Sequence, residues 1–452
     1  MIFRKFLIVA GNKFLAAYRA FLVAVSADGG AAEAQVYTNA LLQTATNASI
    51  VQIPSAYKAT VLYNQVPTPT GQDFTVARAS DVTRTNEDGF LEVIGSNVPC
   101  IDYTDGFPVL LTQPQSTNLV TYSNDFSDAS WTKSNATIIS NTITSPDNSL
   151  NASKLVENSS TAEHIARTSA TLTDTLTYTF SAYVKKAEND FIRLTAFATA
   201  NTRVWFDLVN GVVGTAQSLV LNPFIIPIGT NGWFRIGFSY LATTTGVKEF
   251  GLFTSKVDGD ANYLGDGISG TYIYGAQLEQ LPYPTTIIPT SGATATRLAD
   301  VITGAGSTAS INSEEGVMVV EMAALADDNT INRYVGVSDG TFVNWIGIYF
   351  TTDSRIVARI RVNSGNFYLQ STTVTTTDFN GCVLKWKAND FELYIDGVSI
   401  DTNTVEPTFS ADILNTLSFD RSGGFEPFYG KTKQLRVYPS ISDAQLDLPY
   451  IT

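Results

Sequence analysis

One histidine in 452 residues leaves little room for catalysis by a nucleophile, a histidine and an acid, because every such arrangement would have to use His164. No nucleophile elbow accompanies it, and its setting, Thr161-Ala162-Glu163-His164, reads as a polar loop or strand surface. Cysteine is almost as scarce. Cys100 and Cys382 lie far apart, without a CxxC spacing or histidine neighbours, so thiolate and imidazole metal sites are excluded and both read as small buried hydrophobes. Charge is sparse too: 15% of residues, against roughly 25% in ordinary soluble domains. What charge there is leans acidic, 42 Asp and Glu against 28 Lys and Arg, and the net −14 makes nucleic acid and anionic lipid repelled partners. A membrane span would need about 18 uncharged apolar residues in a row, and no window supplies them. A glycosidase needs two carboxylates about 5–10 Å apart across a sugar, and no spacing among the acids marks such a pair. The chain is read as a binding protein, not an enzyme, with no organic cofactor.

Uncharged polar residues must therefore cover the surface, and stretches such as Thr168–Thr179 and Ser371–Thr377 do so with β-favouring threonine. Apolar residues at 44%, with 11% aromatics, are enough to fill cores, and the length calls for two or three of them. Near the start, Arg4 and Lys5 precede Phe6–Ala10, but Asn12, Lys13 and Arg19 interrupt the apolar run, which disfavours a cleaved signal. Placed on a helix, Phe3, Leu7, Ala10, Phe14, Ala17, Phe21 and Ala24 form a heptad seam, which reads equally as a helix packed on its own domain or as an oligomer contact.

No long helical periodicity follows residue 40, and beyond Asn118 a period of two recurs. Tyr178, Phe180, Ala182 and Val184 fall on one face, with Thr177, Thr179, Ser181 and Lys185 on the other, as expected of a half-buried strand. Phe234, Ile236, Phe238 and Tyr240 repeat the pattern, as do Phe391, Leu393 and Ile395. Asn210-Gly211, Asn231-Gly232, Asp339-Gly340, Asn380-Gly381 and Asp396-Gly397 are pairs that tolerate the positive φ of tight hairpin turns. The fold expected is mainly all-β: an N-terminal helical anchor segment followed by two antiparallel β-sandwich, jelly-roll domains.

Phe74-Thr75-Val76-Ala77-Arg78-Ala79-Ser80, then Thr83-Arg84-Thr85-Asn86, Asp88-Gly89 and Ile101-Asp102-Tyr103, resembles the opening segment of bacteriophage head-spike and tail-fibre proteins. Leu110–Leu119, with Tyr122–Phe126 and Trp131, resembles that family's start of a carbohydrate-binding-module-like jelly roll. Tyr272–Glu279 and Ile288–Gly292, with Thr296-Arg297 and Asp300-Val301, resemble its close. Gly316–Ala323, Leu393–Gly397 and Leu435–Pro439 look like pieces of a concanavalin A-like, laminin-G-like sandwich. The resemblance implies a connecting segment at 74–116, a jelly roll at 117–300 and a sandwich at 301–452; residues 1–73, whose first 70 resemble no named family, are read as a virion-anchor and oligomerisation region from their position ahead of two binding-type domains. The resemblance also implies a head or tail fibre or spike on the particle surface, a homotrimer held to capsid or tail proteins, that adheres to host surface polysaccharide. A capsular depolymerase and a purely structural capsid decoration protein are the alternatives.

Two sets of side chains are candidates for specific sites. Asp258, Asp260 and Asn262 alternate as in a calcium loop, but Tyr263 and Ser269 replace the glycine and closing glutamate of an EF-type loop, so a polar loop is the plainer reading. Sugar binding calls for exposed aromatic faces beside amides and carboxylates. Trp131, Trp205 and Trp233 read as core; Trp345, Tyr349 and Trp386 are the glycan candidates, Trp386 because Lys385 and Lys387 flank it.

Overall fold

The computed structural model describes residues 48–64, 73–197, 202–260, 262–327 and 330–444. The helix expected over Phe3–Ala24, with its seam at Phe3, Leu7, Ala10, Phe14, Ala17 and Phe21, lies outside the described residues. Among these the only helix is the four-residue Ile441–Ala444; no helix is long and apolar enough to cross a membrane, and the strands pair antiparallel.

Period-2 alternation produces the strands it promised. Tyr178, Phe180, Ala182 and Val184 of strand Thr177–Lys186 enter one core together with Ile236, Phe238 and Tyr240 of Trp233–Leu241. That core lies between two six-stranded sheets. One runs, in order, Ala136–Thr144, Leu150–Glu157, Gly270–Glu279, Thr177–Lys186, Trp233–Leu241 and Leu221–Ile228. The other runs Val212–Ala216, Arg203–Asp207, Phe191–Ala196, Gly246–Ser255, His164–Leu172 and Thr132–Ser134. Thr177–Lys186 is more buried than expected. Thr179 and Ser181, assigned to the solvent side, are 0% exposed, because the chain after Glu279 folds back over that face: Thr179 Oγ1 donates to the Leu281 carbonyl at 2.7 Å. His164 is also corrected, from surface to 0% exposed. Nδ1 lies 2.7 Å from the Asn135 carbonyl and Nε2 3.4 Å from that of Tyr263, whose ring packs on the imidazole.

The second sandwich is assembled from both ends of the described chain. A five-stranded sheet, Gly365–Thr373, Arg355–Val362, Trp345–Phe350, Arg333–Ser338 and Thr416–Ser418, faces an eleven-stranded one. In the larger sheet Glu315–Ala324 pairs with Asn380–Lys387 and with Gly430–Tyr438, and Gly430–Tyr438 pairs in turn with Ile50–Lys58 and Val109–Thr112. Phe74–Ala77 pairs with Val301–Thr303. Ile50, Phe74, Val76, Ile101 and Leu110 accordingly share one core with Met318, Trp386, Leu393 and Val437. The six-stranded pair of sheets is thus inserted between Thr112 and Val301, and the chain enters and leaves it through a two-stranded neck, Ser116–Asn118 against Ala295–Arg297. Asp396-Gly397 makes the tight turn expected of it, with φ of +49° and +77°. Asn380-Gly381 does not; it opens strand Asn380–Lys387, and the turn before it is made by Thr375 to Asp378.

Buried polar side chains fasten the insert. Arg78 and Asp300 form a 2.7 Å ion pair whose side chains are 0% and 2% exposed, and Asp300 Oδ2 accepts the Gln113 amide at 2.8 Å. Gln113 joins Thr286 and Arg297, while Glu279 accepts Ser116 Oγ at 2.6 Å, Thr285 Oγ1 at 2.6 Å and Gln277 Nε2 at 2.7 Å. Burial pushes the Asp300 carboxyl up, against the pull of Arg78 and Arg297.

Candidate functional site

The side-chain period of a strand puts Val335, Val337, Ile346, Ile348, Ala358 and Ile360 of the five-stranded sheet into the core, so residues of opposite parity share its outer face. Register then brings Tyr334 opposite Tyr349, Trp345 opposite Arg361, Gly347 opposite Arg359, and Arg359 opposite Tyr368. Tyr334 and Tyr349 stack with centroids 4.2 Å apart and planes at 14°, and Trp345 meets Tyr334 edge-on at 5.5 Å. Two glycines make room for the indole: a Cβ on Gly336 would lie 2.4 Å from Trp345, and one on Gly347 2.6 Å from it. Trp345 is 0% and Tyr349 9% exposed, so these rings form a floor and not an open platform. Burial, then the charge of Glu426, raises the Tyr334 phenol above its ordinary value; burial and the neighbouring Tyr334 and Tyr368 do the same for Tyr349. Both are neutral hydroxyls near neutral pH. Gly347→Ala would press on the Val335 carbonyl and the Gly336 backbone of the paired strand as well as on the indole, and is expected to destabilise the fold by about 1–3 kcal/mol, the usual cost of overpacking, seen as a lower melting temperature.

Phe342 lies on this floor, 6.2 Å from Trp345, on a loop fixed by Asp339, whose carboxylate accepts Thr341 N, Thr341 Oγ1 and Asn344 Nδ2. Three guanidiniums gather over that one ring, with Cζ to centroid distances of 4.7 Å for Arg359, 4.5 Å for Arg361 and 4.5 Å for Arg421. Arg421 pairs with Glu426 at 2.6 Å, and Arg359 donates from Nε and Nη2 to Asn366 Oδ1 at 3.1 and 2.9 Å. Among the described residues Arg361 has no ion-pair partner, and the buried Nε atoms of Arg361 and Arg421 have no hydrogen-bond acceptor. Tyr368, 46% exposed, and Phe425, 63% exposed, stand at the rim.

The structure thus unites Trp345 and Tyr349 of the sequence candidates but not Trp386. That indole is 0% exposed in the sandwich core, against Gly316, and donates to the Asn312 carbonyl at 3.2 Å. Asp258, Asp260 and Asn262 lie in the loop that covers the second sheet of the insert. Asp258 accepts Thr215 N and Oγ1, each at 2.8 Å; Asp260 Oδ1 accepts Asn262 N, and its carbonyl accepts Trp205 Nε1 at 3.0 Å. Beneath the loop Arg193, 1% exposed, is clamped between Phe253 and Trp205. No group of three or more His, Cys, Asp or Glu gathers among the described residues. With Asp258 held by Thr215, a chelator is expected to leave the melting temperature unchanged; a calcium-dependent rise lost in Asp260→Ala would establish a cation site there.

A small crevice opens where residues 83–104 meet the insert, lined by Arg84, Asp102, Tyr183, Ile226 and Arg235 among others. Its charged groups are largely engaged already: Asp102 accepts the Thr85 and Thr104 amides, and Arg84 pairs with Glu92 at 2.6 Å. The outer face of the five-stranded sheet is the better candidate, because two of its three guanidiniums, Arg359 and Arg361, have no carboxylate partner among the described residues.

Sequence reading had named neither Phe342 nor the arginines. One signal was available: Arg355, Arg359 and Arg361 share one parity along a strand of a strongly acidic chain.

No family model and no curated protein matches the chain. Solved structures similar to parts of it are carbohydrate-binding-module and laminin-G-like domains. The CBM40 domain of Ruminococcus gnavus IT-sialidase bound to α2,3-sialyllactose is 20% identical, over 33% of this chain and 94% of that one, with a TM-score of 0.28. Domain 4 of an extracellular arabinanase from Geobacillus stearothermophilus, in complex with arabinotriose, is 16% identical over 34% and 76%, with a TM-score of 0.29. Domains LG4-5 of the mouse laminin α1 chain are 10% identical over 76% and 92%, with a TM-score of 0.23.

Proposed function

We propose that this chain is an adhesive surface subunit of a bacteriophage particle that holds host surface polysaccharide by binding and not by turnover. The observation that carries the binding part is the face built on Trp345, Tyr349 and Phe342, where Arg359, Arg361 and Asn366 are presented from rigid strands and Arg421 joins them from a loop. The particle part rests on the resemblance across residues 74–301. In this reading the residues ahead of Ile50, the first strand residue of the second sandwich, join the subunit to capsid or tail proteins and to two further copies of itself, which corrects the expected anchor region 1–73 because Ile50–Lys58 pairs inside that sandwich. Weak contacts repeated on three copies then add through effective concentration.

The test is retention of the purified chain on immobilised surface polysaccharide of the bacterial host. Phe342→Ala removes the ring that orders the three guanidiniums, and is expected to weaken retention about tenfold, the cost of one lost charged hydrogen bond. No release of reducing ends is expected; their appearance would establish a depolymerase. Light scattering is expected to give three times the chain mass of 48.8 kDa, and a persistent monomer would remove the trimer.

A further inference from the structure

We infer that the Arg359–Arg361–Arg421 cluster makes this face selective for acidic polysaccharide, with a saccharide carboxylate seated between Arg361 and its neighbours; the inference rests on the glycan-binding reading above. Neutral sugars are held largely by stacking a pyranose on an open ring face, and this surface offers few. The Trp345 indole is fully buried, Tyr349 is nearly so, and Phe342 is overlain by three guanidiniums. What the surface does offer is planar donor groups in excess of acceptors. Among the described residues Glu426 is the one carboxylate paired with the cluster, and Arg361 is paired with none.

A guanidinium fork matches a carboxylate with two parallel hydrogen bonds. Here the forks are ordered before any ligand arrives, by the Phe342 ring and by Asn366 on Arg359, so less side-chain freedom is lost on binding. The chain's overall charge of −14 narrows the choice of polyanion. Duplex DNA carries a charge about every 1.7 Å and would set most of them against an acidic protein. A polysaccharide with one carboxylate per repeating unit brings its charge only to the arginines.

The experiment measures binding of the full chain to hyaluronate, polygalacturonate and polysialic acid, with methyl-esterified polygalacturonate, dextran and duplex DNA as comparators. At least one acidic polysaccharide is expected to bind about tenfold or more tighter than dextran, the worth of a charged hydrogen bond. Its affinity should weaken as salt rises and fall about tenfold in Arg361→Gln, while Lys186→Gln, at an exposed ion pair with Asp190 on the insert, leaves it unchanged. Equal melting temperatures for Arg361→Gln and the parent chain would exclude a folding defect as the cause. Equal binding of acidic, esterified and neutral polymers, all lost in Phe342→Ala, would overturn the selectivity and leave the adhesive reading standing. Tighter binding of DNA would overturn the saccharide assignment, and binding to no polysaccharide would sink both.

Discussion

Asp300→Asn is expected to cost about 3–5 kcal/mol of stability, the usual penalty for removing one partner of a buried ion pair. The pair itself is worth less, since much of the cost is the cation left behind. Arg78 is 0% exposed at its side chain, and Arg297, also buried, draws on the same carboxylate. An amide at position 300 would present a neutral group to two guanidiniums that have no route to water. It would also weaken the bond from the Gln113 amide to Oδ2, and Gln113 is the residue that links this pair to Thr286 and Arg297. Arg78→Met should cost a similar amount for a different reason. It strands the carbonyls of Ser80, Gly95 and Val98, which now accept from the guanidinium. The double variant should therefore be less destabilised than the two single effects combined, with coupling of about 0.5–3 kcal/mol. Urea unfolding of the three variants checks this; a loss under about 1 kcal/mol in Asp300→Asn would mean that water reaches the pair. Proteolysis at the neck Ser116–Asn118 should quicken in parallel, because the network closes the two chain crossings by which the described residues pass between the sandwich and its insert.

This network explains why one stretch of the sequence was informative while its meaning was not. Arg78, Gln113, Asn118, Gln277, Glu279, Arg297 and Asp300 all fall between residues 74 and 301, and in the structure they are the joint between insert and sandwich. Strands were legible wherever one face alone is apolar, as in Phe391, Leu393 and Ile395, because alternation reports burial directly. The nesting was not legible. Ser49 bonds to the Val437 carbonyl 388 residues away, and no local period encodes such a partner. Asn380-Gly381 shows the same limit at short range: the pair permits a turn, but the pairing of Asn380 with Met322 places it in a strand. The candidate face was half legible. Trp345 and Tyr349 stand out as aromatics on an apolar run, whereas Arg421 reaches Phe342 from a separate loop, so their meeting is a product of the sandwich alone.

Trp386→Ala is the second change expected to cost heavily, about 3–5 kcal/mol, as removing a large aromatic from a closed core does. The side chain is 0% exposed, lies against Gly316 on the neighbouring strand and donates Nε1–H to the Asn312 carbonyl, so truncation opens a cavity and leaves that carbonyl unbonded. Trp386→Phe retains much of the volume and should lose only part of this, which gives a folded protein to measure. The comparison with Trp345 is the decisive one. Trp345→Phe lowers the floor under Phe342 and should loosen the three guanidiniums, weakening polysaccharide binding even where the melting temperature is little changed. Trp386→Phe should do the reverse, lowering the melting temperature while the folded protein keeps its affinity, because its indole sits in the core and the arginine face lies on the outer side of the opposing sheet. Equal loss of affinity in both variants would mean that binding follows overall stability, and the outer face would no longer be the site.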